Sequence, residues 1–200
     1  TSIAFAGTRL FAGTADGLVE IDPSTGQRLS ARNIPPTLAS TRIDALHGAG
    51  DHLWIVVGGL PFLLSPDAAQ SVRLPLEGEP TSMHMPAADR MWITFSEGIL
   101  VLVERKSDGT LTVRRVGDGS LAARGRVTAA VERAGTVWVG TGRGIGRMNP
   151  AGGPVAWLDL ERGIPSRSVS SMLGDRAGNL WIPTNLGITR FNPDTGHAVH

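Results

Sequence analysis

Five copies of one short pattern, set about forty residues apart, predict an all-β chain of the β-propeller class. Each copy centres on an aromatic residue between aliphatic neighbours: Phe11, Trp54, Trp92, Trp138 and Trp181. The separations are 43, 38, 46 and 43 residues, and one four-stranded propeller blade takes about 40 to 45. Composition agrees, because 26 Gly and 13 Pro in 200 residues interrupt helices too often for a helical bundle.

Within a repeat the elements follow in a fixed order. A glycine stands five or six positions after the aromatic residue, and the clear cases are Gly17, Gly98, Gly144 and Gly187. A second apolar segment follows it, so the pair reads as a hairpin whose corner needs the positive φ that glycine supplies. A further turn closes the second strand, as in Asp22-Pro23-Ser24-Thr25-Gly26, Asn149-Pro150-Ala151-Gly152-Gly153 and Asn192-Pro193-Asp194-Thr195-Gly196. Upstream of the aromatic slot lies another strand-like stretch, at residues 42–46, 127–131 and 169–173. That makes four short strands per repeat. Runs such as Leu53-Trp54-Ile55-Val56-Val57 are apolar throughout, which predicts burial on both faces of the sheet. The expected blades are 1–40, 41–80, 81–122, 123–164 and 165–200, forming a single propeller domain or propeller fragment. Five blades either close on themselves or belong to a larger ring of about seven, within the range of 4 to 8 that the architecture allows.

Charge and cysteine content exclude several classes. The formal net charge is +1 and Cys is absent, so no global field draws the chain to nucleic acid and no disulfide or thiolate metal site exists. No apolar run approaches the roughly 20 residues that cross a bilayer as a helix. The chain begins at Thr1 without an initiator Met, which leaves open a signal peptide or flanking domain upstream. Locally the charge is uneven: residues 101–150 hold nine Arg or Lys against four Asp or Glu. Arg114, Arg115, Arg124, Arg126 and Arg143 are therefore a candidate anion site, weighed against a plain solvated face.

The repeat tryptophans read as packing residues between blades rather than a stacking platform; Trp157, outside the slot, is the more plausible exposed aromatic, with packing still the preferred role. His47 and His84 precede their tryptophans by seven and eight residues. They are read as polar residues near a strand end in preference to a metal or acid–base pair, and no metal or cofactor is expected. Asp175 is read as a turn cap ahead of Gly178. Pro183 predicts a local bulge in its strand.

The last repeat carries Gly163-Ile164-Pro165-Ser166, Val169, Met172, Asp175, Gly178-Asn179-Leu180-Trp181-Ile182, Thr184, Gly187-Ile188 and Arg190-Phe191-Asn192-Pro193. It resembles the two-component regulator propeller repeat. Residues 135–150, with Trp138-Val139-Gly140-Thr141, form a second strong copy, and Phe11-Ala12-Gly13-Thr14 a shorter third. The second and third repeats depart, with Val56-Val57 and Thr94-Phe95 in place of Gly-Thr. The resemblance implies a periplasmic or extracytoplasmic sensor propeller of a hybrid histidine kinase or diguanylate cyclase. Its ligand would be a small molecule or oligosaccharide, its signal a change in dimer geometry, and the fragment itself no enzyme. A homodimer, or continuation of the propeller in the full-length receptor, is the expected assembly.

In a propeller the hairpin loops and the blade connections share one face. Here they supply Asp16, Glu97, Arg143 and Asn185 from hairpins, and Arg42, Arg124 and Arg167 from connections. An acidic sugar or other carboxylate fits that set. The rival readings are a propeller lyase acting on a cyclic ester or uronic polymer, and a protein-interaction scaffold.

Overall fold

The computed structural model describes residues 2–30, 34–66, 70–74, 76, 78, 80–158 and 168–200. The chain divides into two compact units, Thr1–Gly78 and Glu79–His200. In the first unit, β1 (Ser2–Ala6), β2 (Arg9–Thr14), β3 (Gly17–Ile21) and β4 (Arg28–Leu29) pair antiparallel in chain order. After the helical turn α1 (Pro36–Ala39), β5 (Ala45–Ala49), β6 (His52–Val57), β7 (Leu60–Ser65) and β8 (Gln70–Arg73) form a second such sheet.

The second unit contains three more. β9 (Pro80–Ala87), β10 (Arg90–Phe95), β11 (Leu100–Arg105) and β12 (Leu111–Val116) form the third sheet. α2 (Ser120–Ala123) leads into β13 (Val127–Arg133), β14 (Thr136–Thr141), β15 (Gly144–Met148) and β16 (Ala156–Trp157). The fifth sheet is β17 (Leu173–Gly174), β18 (Leu180–Thr184), β19 (Gly187–Asn192) and β20 (His197–Val199). The fold is all-β, and each sheet is the four-stranded up-and-down meander of a propeller blade.

Turn chemistry accounts for the hairpins. Gly17, Gly98, Gly144 and Gly187 all have positive φ. At three of these corners a threonine closes the turn. The Thr14, Thr141 and Thr184 hydroxyls donate to the carbonyls of Gly17, Gly144 and Gly187 and accept from the N–H groups of Asp16, Arg143 and Leu186. Asp22, Asn149 and Asn192 do the equivalent work after the next strand, accepting backbone N–H groups two or three residues on.

Sheets pack face to face within each unit, as the apolar runs predict. Phe11, Leu18, Ile43, Leu46, Leu53 and Ile55 share a buried core in the first unit. In the second, one face of the fourth sheet offers Val137, Val139 and Met148 to Trp92, Leu100 and Leu102 of the third. Its other face offers Val131, Trp138 and Ile145 to Leu180, Ile182 and Phe191 of the fifth.

The glycine of the Gly-Thr pair has a packing reason. A Cβ on Gly13 would lie 2.6 Å from the Ile43 side chain, and a Cβ on Gly140 would lie 2.7 Å from Val169. The same neighbours donate backbone N–H groups to the Thr14 and Thr141 carbonyls, at 3.0 and 3.1 Å. The chain entering the next blade therefore leans directly on that glycine. This link also shifts two expected strands: residues 42–44 lie ahead of β5, and of residues 169–173 only the end joins β17, with Val169 making an isolated bridge to Thr184.

Two expectations are corrected. Pro183 sits in regular register opposite Ile188, without a bulge. Ser170 donates to the Pro183 carbonyl from both N–H and hydroxyl; on that edge β17 is only two residues long, so no ladder bond waits for the missing N–H. Trp54, Trp92 and Trp138 are buried, but Trp181 is 39% exposed, because it points away from the fourth sheet and none of the described residues buries it. Trp157 is half-buried against the core of the third and fourth sheets, in keeping with the packing role preferred for it.

Gly140→Ala should cost about 1–3 kcal/mol, the usual range for overpacking. Gly140→Ala combined with Val169→Ala should lose less than the sum of the two single variants, since both act on one contact. Urea unfolding followed by tryptophan fluorescence measures this, and strict additivity would refute the leaning contact.

Candidate functional site

Two hydroxyls stitch successive sheets of the second unit and a third stitches within the fifth. Thr81, at the start of β9, donates to the Val127 carbonyl at 2.5 Å, and Thr128, at the start of β13, donates to the Val169 carbonyl at 2.7 Å. Ser170, ahead of β17, donates to the Pro183 carbonyl at 3.1 Å. These three residues stand ten or eleven positions before their tryptophans. Together with Arg126, Gly142, Ser168 and Val169 they line a cavity of about 380 Å³, at the small end of the usual ligand-pocket range.

The chemistry of this mouth follows from where the protons go. Each hydroxyl has one proton, and Thr81, Thr128 and Ser170 give theirs to protein carbonyls; the Thr81 oxygen in turn accepts from the Thr94 hydroxyl at 2.7 Å, so Thr128 and Ser170 are the acceptors left to a guest. Arg126 is exposed and makes no hydrogen bond or ion pair with another described residue. The mouth thus combines a guanidinium that has no partner among the described residues with acceptor hydroxyls. A molecule carrying both a carboxylate and hydroxyl groups is complementary to it.

The residues expected from sequence lie in both units, and Arg124 and Arg143 are neighbours in the second. Glu97, Arg124, Arg143 and Asn185 belong to the second unit and Asp16 and Arg42 to the first; Arg167 lies outside the described residues. Arg143 follows Gly142 at the rim, but its guanidinium donates to the Ala123 carbonyl. Arg124 donates to the Arg143 carbonyl and stacks on Trp157 at 4.5 Å. Arg114 is likewise committed, to the carbonyls of Ala151 and Pro150. Arg42 pairs with Asp44 at 3.3 Å in an exposed site, and Glu97 accepts from the Ser96 hydroxyl, which lowers its pKa. Asp16 and Asn185 are exposed hairpin residues. The hydroxyl set was missed. Its signal was there as Ser or Thr ten or eleven positions before the tryptophan in the last three repeats, where the second repeat has Ile43 and Asp44.

His47 and His84 belong to different units. Each sits directly across from its repeat tryptophan, Trp54 or Trp92, and burial lowers the pKa of both. For His84 a hydrogen bond to the Glu132 backbone and, after it, the Glu132 charge oppose that shift. Glu132 itself joins two blades, accepting the Trp92 indole N–H at 2.6 Å and the Arg90 guanidinium at 2.9 Å. No group of three or more potential metal ligands occurs among the described residues. In the first unit a smaller hollow of about 240 Å³ lies at the β1–β2 and β5–β6 turns, lined by Thr8, Arg9 and Asp51. Its Arg9 is locked bidentately to the buried Glu20.

Asp175 caps its turn as expected and does more. Its carboxylate accepts from the Asn179 side-chain amide, the Trp181 indole and the Asn179 backbone N–H, which hold its pKa far below the usual carboxylate range. A depressed folded-state pKa stabilises fully above the unfolded value of about 3.9 and is lost as pH falls through the folded value. The difference in thermal midpoint between the parent chain and Asp175→Asn should therefore stay constant above about pH 5 and shrink below about pH 3.9. A difference that does not vary between pH 2 and pH 6 would count against the cap.

No protein-family model matches this sequence, and no curated protein does either. Solved structures match in shape. The extracellular domain of a putative hybrid two-component system from B. thetaiotaomicron superposes with a TM-score of 0.68 at 15% identity, over 98% of this chain and 29% of that one. The β-propeller domain of a Myceliophteria thermophila protein gives 0.71 at 17% identity, over 96% and 65%. YCF48 from Cyanidioschyzon merolae gives 0.63 at 12% identity, over 96% and 65%. At such identities the likeness shows the fold: this is a β-propeller module. The chain spans under two thirds of the length of each of these structures.

Proposed function

We propose that this module binds a small hydroxylated carboxylate, such as an acidic sugar, and serves as the extracytoplasmic sensor part of a two-component-type receptor. The observation that carries this reading is the Arg126 guanidinium, unpaired among the described residues, beside the acceptor hydroxyls of Thr128 and Ser170. The shape likeness to an extracellular two-component domain and the repeat motif support the sensor role. The lining offers a cation, hydroxyls and backbone groups. No carboxylate or imidazole lines the mouth among the described residues, and the groups present suit holding a molecule in place. A change in dimer geometry would carry the signal onward.

Calorimetry with galacturonate and with neutral galactose tests this. Galacturonate should bind, galactose more weakly, and Arg126→Ala should weaken galacturonate by about tenfold to a hundredfold, the worth of one charge-assisted contact. Arg114→Ala, whose guanidinium serves a turn elsewhere, should bind as the parent does. Equal binding by Arg126→Ala, or equal binding of both sugars, would overturn the reading.

A further inference from the structure

The fourth and fifth sheets carry the same outward trio in the same register. In the fourth, Val131 pairs across from Trp138, and Ile145 follows on the next strand opposite Gly140. In the fifth, Leu173 pairs across from Trp181, and Ile188 follows opposite Pro183. The fourth-sheet trio is buried against Leu180, Ile182 and Phe191, with the Trp138 and Phe191 rings edge to face at 5.5 Å. The fifth-sheet trio is open, with Leu173 66% and Ile188 59% exposed beside the half-open Trp181.

The complementary half of that contact also exists in the chain. By repeat position, Leu10, Ala12 and Ile21 of the first sheet correspond to Leu180, Ile182 and Phe191. Leu10 pairs with Ile21 as Leu180 pairs with Phe191. Ile3 and Phe5 pair with Ala12 and Leu10, so they stand on the same side, and they are 68% and 53% exposed. The first sheet thus opens Ile3 and Phe5 on that side, with Leu10 and Ile21 half-buried and Ala12 buried beneath them, so apolar residues of both halves of one interface type are exposed on a single chain.

We propose that the outward face of the β17–β20 sheet docks on the β1–β4 sheet of a second copy of this chain, repeating the packing of the fourth sheet on the fifth. The contact is head to tail, with two different faces meeting. Apolar surface of this kind, rimmed by polar strands, is what association buries. Trp181 moves from half-open to buried when it forms.

Light scattering coupled to size exclusion tests the proposal with Trp181→Glu and Phe5→Glu, both at exposed positions, with circular dichroism to confirm that each variant folds. The parent chain should show a mass of at least two chains that rises with concentration, and each variant alone should be a single chain. An equimolar mixture of the two should give a dimer and stop there, because each variant keeps one intact face. Acrylamide quenching of Trp181 should fall as the parent associates. A monomeric parent at all concentrations would overturn the proposal. So would a Phe5→Glu variant that still pairs alone, which would mean that two fifth sheets meet, or a mixture that stays monomeric.

Discussion

A sheet that is apolar on both faces needs another sheet on each side, and most of this structure follows from that requirement. The β14 strand shows it most clearly. Val137 and Val139 face back to the third sheet while Trp138 faces forward to the fifth, so a single strand belongs to two cores. Close stacking then dictates smaller features. Glycine stands where Ile43 or Val169 must press against the preceding sheet. Glu132 is placed to accept the Trp92 indole N–H that stacking takes away from water.

The candidate binding mouth is a by-product of the same stitching. Thr81 and Thr128 tie each first strand to the carbonyl of the next sheet, and the committed protons of Thr128 and Ser170 leave acceptor oxygens around a shared hollow. Arginines of this unit divide into two kinds. Arg124, Arg143 and Arg114 spend their guanidinium groups on loop carbonyls, whereas Arg126 has no partner among the described residues. Counting basic residues along the sequence could not separate these roles, because an arginine that locks a turn and an arginine that waits for an anion look alike until their neighbours are known.

Legibility was high wherever the signal was periodic. Phe11 and the four tryptophans placed the second strand of every sheet, and the glycines after them placed the hairpins. Asp175 was readable as a cap because Asx turns are local; that it also holds the Trp181 indole required the fold of the hairpin. Trp181 itself was misread as buried, since its local sequence is that of Trp138 and only the missing neighbour distinguishes them. Pro183 was misread as a bulge for a related reason: β17 is too short to ask for its N–H.

The sequence alone determined the class, the repeat length, the strand order within each blade and the turn chemistry, because these depend on contacts a few residues apart and recur five times. Tertiary structure decided which faces are covered, which arginines are already bonded and which hydroxyls converge, because those depend on residues about forty positions apart that meet only when one sheet is laid on the next.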